Sequence, residues 1–319
     1  MPHHPLAPAP PRRFFPVVPI IMLGALLCFP SLSIQGASHG LLLWFNVVLP
    51  TLAPFIICTQ MVVSLGGVPL LMKPLAPLSR AFLGLSGQGA YVFLCGLLCG
   101  YPLGAKMCAD FKRSGAVTEK EARYLLAICN HPSPMFLLGY VRGQLPIPVP
   151  PALLLASLYL PILPLSLLAR YLYRPGAPDA KAPSSTDAKP AFSFRPSLED
   201  TIASTCETMV VIGGYIMLFS ILAAWIQHLA LLPPAFKAFL TGLAEITTGV
   251  NSLCAALPPS HALPPTVCAV AFGGFSGAFQ TKSVIKGAGL PLCHYIGWKI
   301  LHACFSGLSF IILAPVLGA

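Results

Sequence analysis

The chain has 319 residues, of which 56% are hydrophobic and only 9% are charged. A soluble domain carries about 25% charged residues because water must wet its surface, so this composition excludes a water-soluble protein. The formal net charge of +10 does not indicate a nucleic-acid partner, because the Lys and Arg residues lie between apolar segments rather than along one face.

Apolar stretches reach or approach the roughly 20 residues that cross a hydrocarbon core. They cover residues 16–34, 41–63, 152–172, 201–226 and 296–316. Arg12 and Arg13 precede the first stretch, but no small-residue cleavage site follows it, so we expect a retained anchor helix rather than a signal peptide. The sequence therefore predicts an all-α integral membrane protein, a polytopic helical bundle.

Two Pro-rich stretches divide the chain. Residues 1–16 are predicted to be disordered, and residues 174–197, rich in Pro, Ala and Ser, are predicted to form a cytoplasmic linker. Two membrane halves, residues 17–173 and 198–319, lie on either side of this linker. Both halves contain the same order of features, which indicates an internal duplication.

Charge bias predicts a re-entrant segment in the first half. Basic residues flank residues 88–104 on both sides, and Lys and Arg mark cytoplasmic loops. The segment should therefore enter the membrane and return without crossing it. Gly100, Pro102 and Gly104 supply the break that such a hairpin requires.

The second half contains a related Gly-broken segment. Gly-x-x-x-Gly-Ala followed by Lys occurs from Gly100 to Lys106 and again from Gly273 to Lys282. Counting crossings from the basic loops, the first repeat starts outside and the second inside. We therefore predict two inverted repeats, each with a broken or re-entrant helix, and a solute site near the midplane where the breaks meet.

Glu245 is the most informative single residue, because it lies in the mostly apolar stretch 239–250 beside Thr247. An acidic side chain at the bilayer centre costs roughly 2.5 to 3.5 kcal/mol on insertion scales. The functional interpretation is a proton- or cation-coupling carboxylate or a solute ligand. The structural alternative is a carboxylate that caps a neighbouring broken helix.

The broken segments also offer groups for an anion. A helix that starts at a break turns its positive end toward the cavity, and Lys106 and Lys282 end the two segments. These lysines either pair with an anionic solute or extend to the membrane interface. The remaining candidate solute contacts in the second segment are Gly273, Gly274, Ser276, Gly277, Gln280 and Thr281.

A third apolar segment is interrupted at Asn130-His131-Pro132-Ser133-Pro134. Two prolines remove backbone donors and kink the helix. Asn130 and Ser133 then face a gap, where they either contact the solute or satisfy neighbouring backbone groups.

Enzymatic interpretations find little support. The Gly-x-Ser-Gly at 274–277 is similar to that of rhomboid proteases, but the interval from Ser276 to His302 leaves no room for the helix that separates serine and histidine there. No Cys-x-x-Cys pair, His-Glu-x-x-His motif or phosphate-binding loop occurs. We therefore expect no catalytic activity, no metal site and no cofactor.

These motifs, taken in order, resemble the YlbJ-type sporulation integral membrane proteins of the nucleoside-recognition, or Gate-domain, family. The resemblance rests on GYPLGAK at 100–106, CNHPSPMF at 129–136, GLAEITTG at 242–249 and FGGFSG at 272–277. It also relates the chain in motif to the cores of ferrous-iron permeases and concentrative nucleoside transporters.

The resemblance implies a protein of the mother-cell (outer forespore) membrane that moves dipicolinate toward the developing spore. The partners expected are the lipid bilayer and a small anionic solute, and a homo-oligomer is left open. Two alternatives remain at this stage: a nucleoside or nucleobase permease, and a membrane scaffold that transports nothing.

Overall fold

The computed structural model describes residues 17–74, 76–175 and 197–317, and all regular structure within these ranges is helical. The N-terminus predicted to be disordered and residues 176–196 of the predicted linker lie outside the described residues. The helices of the first half are α1 Val17–Cys28, α2 Pro30–Leu43, α3 Leu49–Ser64, α4 Val68–Met72, α5 Ala76–Leu83, α6 Gly87–Cys99, α7 Leu103–Arg113, α8 Glu119–Ile128, α9 Pro134–Phe136, α10 Arg142–Gln144, α11 Pro151–Tyr159 and α12 Ile162–Tyr173. Those of the second half are α13 Leu198–His228, α14 Pro234–Ala244, α15 Ile246–Ala256, α16 Pro259–Phe272, α17 Gly274–Val284 and α18 Leu292–Leu317.

The predicted fold class, a polytopic helical membrane protein, is confirmed. Within the described ranges, five helical segments are long and apolar enough to cross a membrane. They are Pro30–Ser64, Pro151–Tyr173, Leu198–His228, Pro259–Val284 and Leu292–Leu317. The helix Gly87–Cys99 is apolar but shorter than these, as a re-entrant segment should be.

The boundaries of the first helices differ from the prediction. The chain bends at Phe29, and helical structure then continues from Pro30 to Ser64 through a π-helical turn at Trp44–Val48. The apolar stretches 16–34 and 41–63 predict a loop between residues 34 and 41, where small and polar residues interrupt the apolar run. The structure instead uses the glycines of that interval to bring two helices close together.

Helices α2 and α3 pack along α13 in antiparallel orientation. Trp225 Nε1 donates to Ser33 Oγ at 3.0 Å, and Trp44 Nε1 donates to the Met209 carbonyl at 3.0 Å. Farther along, the Thr201 hydroxyl lies 3.7 Å from the sulfur of Met61. The first long helices of the two halves therefore run in opposite directions, which is the geometry that an inverted repeat requires.

Both halves continue in the same order: a hairpin of two short helices, a broken helix and a closing helix. The hairpins are α6 with α7 and α14 with α15, and the broken helices are α8 with α9 and α16 with α17. Gly100 therefore lies in a hairpin, whereas Gly273 lies in a broken helix. The two Gly-x-x-x-Gly-Ala motifs occupy different positions in their halves, because a glycine pair suits any helix that must break.

Each hairpin is closed by glycines. Gly96 and Gly104 face each other across the first hairpin, and a Cβ atom on either would overlap the carbonyl oxygen of Cys129. In the second hairpin, a Cβ atom on Gly249 would overlap the backbone of Gly242. Small residues let helix backbones approach closely inside a membrane, where water supplies no driving force for association.

At one end of the molecule, Arg113 joins the two halves. Its Nη2 donates to the carbonyls of Val284 at 3.1 Å and Lys286 at 2.7 Å, just after α17 ends. The basic loop after α7, predicted to be cytoplasmic, thus lies beside the loop that follows α17. Near this end, a hydrogen bond from Lys112 and a weaker contribution from Arg123 lower the pKa of Glu119 below its ordinary value.

The glycine contacts predict which small residues the fold requires. Gly104→Ala and Gly249→Ala should each destabilise the protein by about 1 to 3 kcal/mol, because the added methyl group meets backbone atoms that have little room to move. Gly214→Ala is the matched control, since nothing lies within 4 Å of its added Cβ atom. The apparent melting temperature of purified variants in detergent should fall for the first two alone; equal values for all three would contradict the packing.

Candidate functional site

The four helix breaks meet at one cavity of about 60 Å³. A buried water needs roughly 15 Å³ by this measure, so the cavity has room for only a few waters. The breaks contribute Cys99, Tyr101, Pro132, Ser133, Phe136, Glu245, Ile246, Thr247, Gly273, Ser276, Gly277 and Gln280 to its lining. The opposite wall consists of Leu43, Val47, Val48, Thr51 and Leu52, near the π-helical turn, with Ile216 of α13.

Glu245 occupies the break between α14 and α15. It is 2% exposed and extended in backbone conformation, and its carboxylate caps the start of α15. The backbone amides of Thr247 and Thr248 donate to it at 3.1 Å and 2.8 Å, and the Thr247 hydroxyl donates as well. Glu245 thus caps a broken helix, as the structural alternative predicted, and it also lines the cavity.

Helix α17 has no side-chain cap. Gly273, with φ of +82°, supplies the left-handed turn that an L side chain rarely adopts, and α17 begins immediately after it. By contrast, Glu245 caps α15 and the Ser133 hydroxyl caps α9. The positive end of α17, with Ser276 and Gly277 at the cavity wall, is therefore the one most available to an anion.

Tyr101 is a site residue that the sequence analysis missed. Gly100, with φ of +81°, turns the chain out of α6, and a cis peptide bond joins Tyr101 to Pro102. The ring of Tyr101 packs beside Gly273 and Gly277, and its buried hydroxyl has no hydrogen-bond partner among the described residues. An aromatic residue directly after the helix-ending glycine was the available signal.

Asn130 lies behind the cavity and organises the breaks. Its amide nitrogen donates to the hydroxyls of Thr281 at 3.0 Å and Tyr295 at 2.8 Å. Its side-chain oxygen accepts from the Ala105 amide at 3.2 Å, in the first turn of α7. Asn130 and Thr281 therefore connect α7, α8, α17 and α18, and neither lines the cavity.

The other predicted site residues fall into three groups. Those that line the cavity are Ser133, Glu245, Thr247, Gly273, Ser276, Gly277 and Gln280, while Gly100, Pro102, Gly104 and Gly274 shape the breaks themselves. Lys106 pairs with Asp110 at 2.9 Å, and Lys282 lies 5.3 Å from the centroid of the Phe279 ring. Neither lysine lines the cavity.

Ser276 and His302, weighed above as an enzymatic pair, have separate partners. The Ser276 hydroxyl accepts from Gln280 Nε2 at 3.0 Å, whereas His302 Nε2 lies 2.8 Å from the Leu158 carbonyl. No group of three or more metal-ligating side chains occurs in the part of the chain that the structure describes.

The cap on α15 predicts how Glu245 variants behave. Glu245→Ala should lower stability by about 1 to 2 kcal/mol, because the donors of Thr247 and Thr248 lose their acceptor. Glu245→Gln should lose less, since one oxygen still accepts a hydrogen bond. Thermal unfolding in detergent measures both, and an equal loss would mean that the negative charge rather than the cap stabilises this break.

Comparison with curated proteins finds similarity to "Sporulation integral membrane protein YlbJ" of Bacillus subtilis (strain 168), at 28% identity over 218 residues. The match covers 63% of this chain and 53% of that protein, so the chain spans about half the length of the curated relative. No family model matches the chain. No solved structure matches it either. The resemblance to YlbJ-type sporulation integral membrane proteins, predicted from the motifs, is confirmed, and the chain is an integral membrane protein.

Proposed function

We propose that this protein is a secondary-transporter-like protein that moves a small organic anion through the cavity between its helix breaks. Dipicolinate is the favoured solute. The observation that carries the proposal is the convergence of all four breaks, with Tyr101, Ser133, Glu245 and Gly273, on one cavity.

Physical cost supports transport over a scaffold. Non-helical backbone at membrane depth is tolerated where it is buried in protein or lines a cavity, and ionisable side chains there are expensive. Here the breaks are glycine-closed and hydrogen-bonded around the cavity, with Glu245 at its wall. A protein that only held others in place would gain nothing from four such interruptions.

The donors around the cavity favour an anionic solute. The uncapped start of α17 lies at the space, and so does Tyr101, whose buried hydroxyl has no partner among the described residues. The carboxylate of Glu245 already accepts hydrogen bonds from the first turn of α15. A dianion beside that carboxylate would still be repelled, so we expect a proton or cation to accompany it.

The identity of the solute is suggested by the resemblance to sporulation proteins. The curated relative is named as a sporulation protein. The family resemblance implies dipicolinate transport in the outer forespore membrane.

A cavity of about 60 Å³ is too small for an aromatic dicarboxylate. The structure therefore corresponds to a closed state, and passage requires one repeat to move against the other.

A nucleoside or nucleobase permease is the second candidate. Gln280 and Ser276 form a hydrogen-bonded pair at the cavity wall, and such a pair suits the polar edge of a base. An anion transporter needs a positively polarised site, whereas a permease for a neutral nucleoside does not. Measuring the flux of dipicolinate and of uridine separates the two candidates.

The proposed function predicts selective uptake. Proteoliposomes that contain the purified full chain should accumulate labelled dipicolinate, and not uridine, under an imposed proton gradient. Glu245→Gln should reduce this uptake by about tenfold or more, because the carboxylate both caps α15 and sets the charge of the cavity. Uridine flux would instead establish the permease, and no flux of either solute would establish the scaffold.

Tyr101 gives a sharper prediction. Tyr101→Phe should raise the KM for dipicolinate by about tenfold, since a hydrogen bond to a charged group contributes about 1.5 to 3 kcal/mol. Its melting temperature should not fall, because the lost hydroxyl has no partner in the closed state. Tyr124→Phe is the matched control: its hydroxyl donates to the Leu83 carbonyl away from the cavity, so stability should fall while KM stays constant. The reverse pattern would exclude Tyr101 as a solute contact.

A further inference from the structure

Lys299 is a buried lysine without an acidic partner. It lies in α18 and is 3% exposed, and its Nζ donates to the backbone carbonyl of Asn130 at 3.1 Å. The ion pairs found in the described ranges all involve other lysines or arginines. A positive charge on Lys299 is therefore not neutralised by a carboxylate in contact with it.

The groups around Nζ would satisfy only part of the hydrogen-bonding capacity of an ammonium. An ammonium carries three N–H donors and no acceptor. One of these donors has a hydrogen-bond acceptor within the described residues, and the face of the Tyr101 ring lies 5.4 Å from Nζ. A buried charge is costly unless it is paired, and a cation–π contact offsets only part of that cost. The site thus tolerates a charge without holding it firmly.

Two histidines adjoin Lys299. His302 follows one helical turn later on α18, and its ring lies 4.4 Å from that of His131, measured between centroids. Nε2 of His131 lies 2.7 Å from the Ile128 carbonyl oxygen, and Nε2 of His302 lies 2.8 Å from the Leu158 carbonyl oxygen. The Nδ1 atoms of both rings are buried without partners in the described chain. The remaining titratable groups around Lys299 are Tyr101 from the first hairpin, Cys129 beside Asn130 and Tyr295 one turn earlier on α18, and Tyr101 in turn lies near Glu245 and Tyr159.

The ring of Tyr101 contacts both this cluster and the cavity. Tyr101 lines the cavity, whereas Lys299 does not, and Nζ lies over the face of that ring. Charge on Lys299 therefore acts on a bound solute at short range through a medium with few mobile dipoles, where electrostatic interactions are strong. Glu245, at the cavity wall, already has its acceptors occupied by hydrogen bonds from Thr247 and Thr248.

We propose that Lys299 is the proton-coupling group of the transport cycle. Its neutral amine takes up one proton from hydronium on the entry side when an anion enters the cavity: one O–H bond of hydronium breaks, one N–H bond forms, and water and an ammonium result. It returns that proton to water on the other side when the anion leaves. The inference rests on the proposed transport of an organic anion and assigns the accompanying proton to a named atom, Nζ of Lys299.

The test compares two kinds of flux in proteoliposomes that contain the full chain. Lys299→Gln keeps a donor for the Asn130 carbonyl but cannot change its charge, and Lys299→Arg keeps a charge that it cannot release. Both variants should lose dipicolinate accumulation driven by a proton gradient by about tenfold or more, and both should retain exchange of labelled for unlabelled dipicolinate at equal pH within about twofold. The matched control is Lys237→Gln, because Lys237 Nζ also donates to a carbonyl, that of Gln227 at 3.1 Å, away from the cavity.

Each result decides the assignment. Gradient-driven accumulation that survives in Lys299→Gln overturns it, and so does an equal loss of accumulation and exchange in a folded variant, which would mark Lys299 as a positioning residue. Absence of dipicolinate flux in the unaltered protein overturns the proposed function instead. Nitrogen NMR of lysine side chains then tests Lys299 without any solute: the signal missing from Lys299→Gln must move between ammonium and amine positions as pH rises, and a signal fixed at the ammonium position overturns the proposal.

Discussion

Every helix end inside a membrane leaves backbone amides and carbonyls that no water can reach, and this protein satisfies them by bringing its helix ends together. The first hairpin turns at Gly100, and the next residue, Tyr101, donates its amide to the His131 carbonyl at 2.9 Å. That bond links the break in α6–α7 to the break in α8–α9. The α7 break depends in turn on Asn130, whose side chain accepts from Ala105. Neither break is complete without the other.

The same constraint explains why the two halves need each other. Asn130 belongs to the first half, but the hydroxyls that it contacts, those of Thr281 and Tyr295, belong to the second. Tyr140 in the first half donates to the Thr247 carbonyl at 3.2 Å in the second, at the start of α15. In the transport that we propose, such bonds cross between elements that move relative to each other. Their number limits how far the repeats separate, and their exchange for solute contacts is a way to couple binding to motion.

Much of the fold was predictable because its signals are compositional. Apolar length gives the spans that cover residues 41–63, 152–172, 201–226 and 296–316, but not the span Pro259–Val284, and residues 16–34 bend at Phe29 instead of forming one span. Lys and Arg bias predicts a re-entrant segment at residues 88–104, where the structure has a hairpin that extends to Arg113 because α7 forms its second arm. The helix boundary at Phe29 was missed because Gly36 and Gly40 look like a loop in sequence, whereas the structure packs them against α13 near Ser220. Their meaning depends on a neighbour about 180 residues away, which local periodicity does not encode.

The site was predicted unevenly for a related reason. Glu245 and Gly273 stand out because a carboxylate or a glycine pair is costly or weakening inside an apolar helix. Lys106 and Lys282 were expected at the site because they end the broken segments, but each lies one or more turns beyond the break, at the sides of α7 and α17 facing away from the cavity. Lys299 was overlooked because α18 is otherwise a plain apolar span.

Glu245 lines the cavity together with Tyr101, whereas Lys299 does not line it and has its Nζ 5.4 Å from the centroid of the Tyr101 ring. A direct salt bridge would hold both groups in their charged forms and would have to break in each cycle, at the high cost of separating buried ions. Because the ion pairs of the described residues do not include Glu245 with Lys299, the charge on one group changes without an ion pair being broken. In the proposed transport, Tyr101 then has two roles: its hydroxyl is offered to the solute, and its ring contacts the amine.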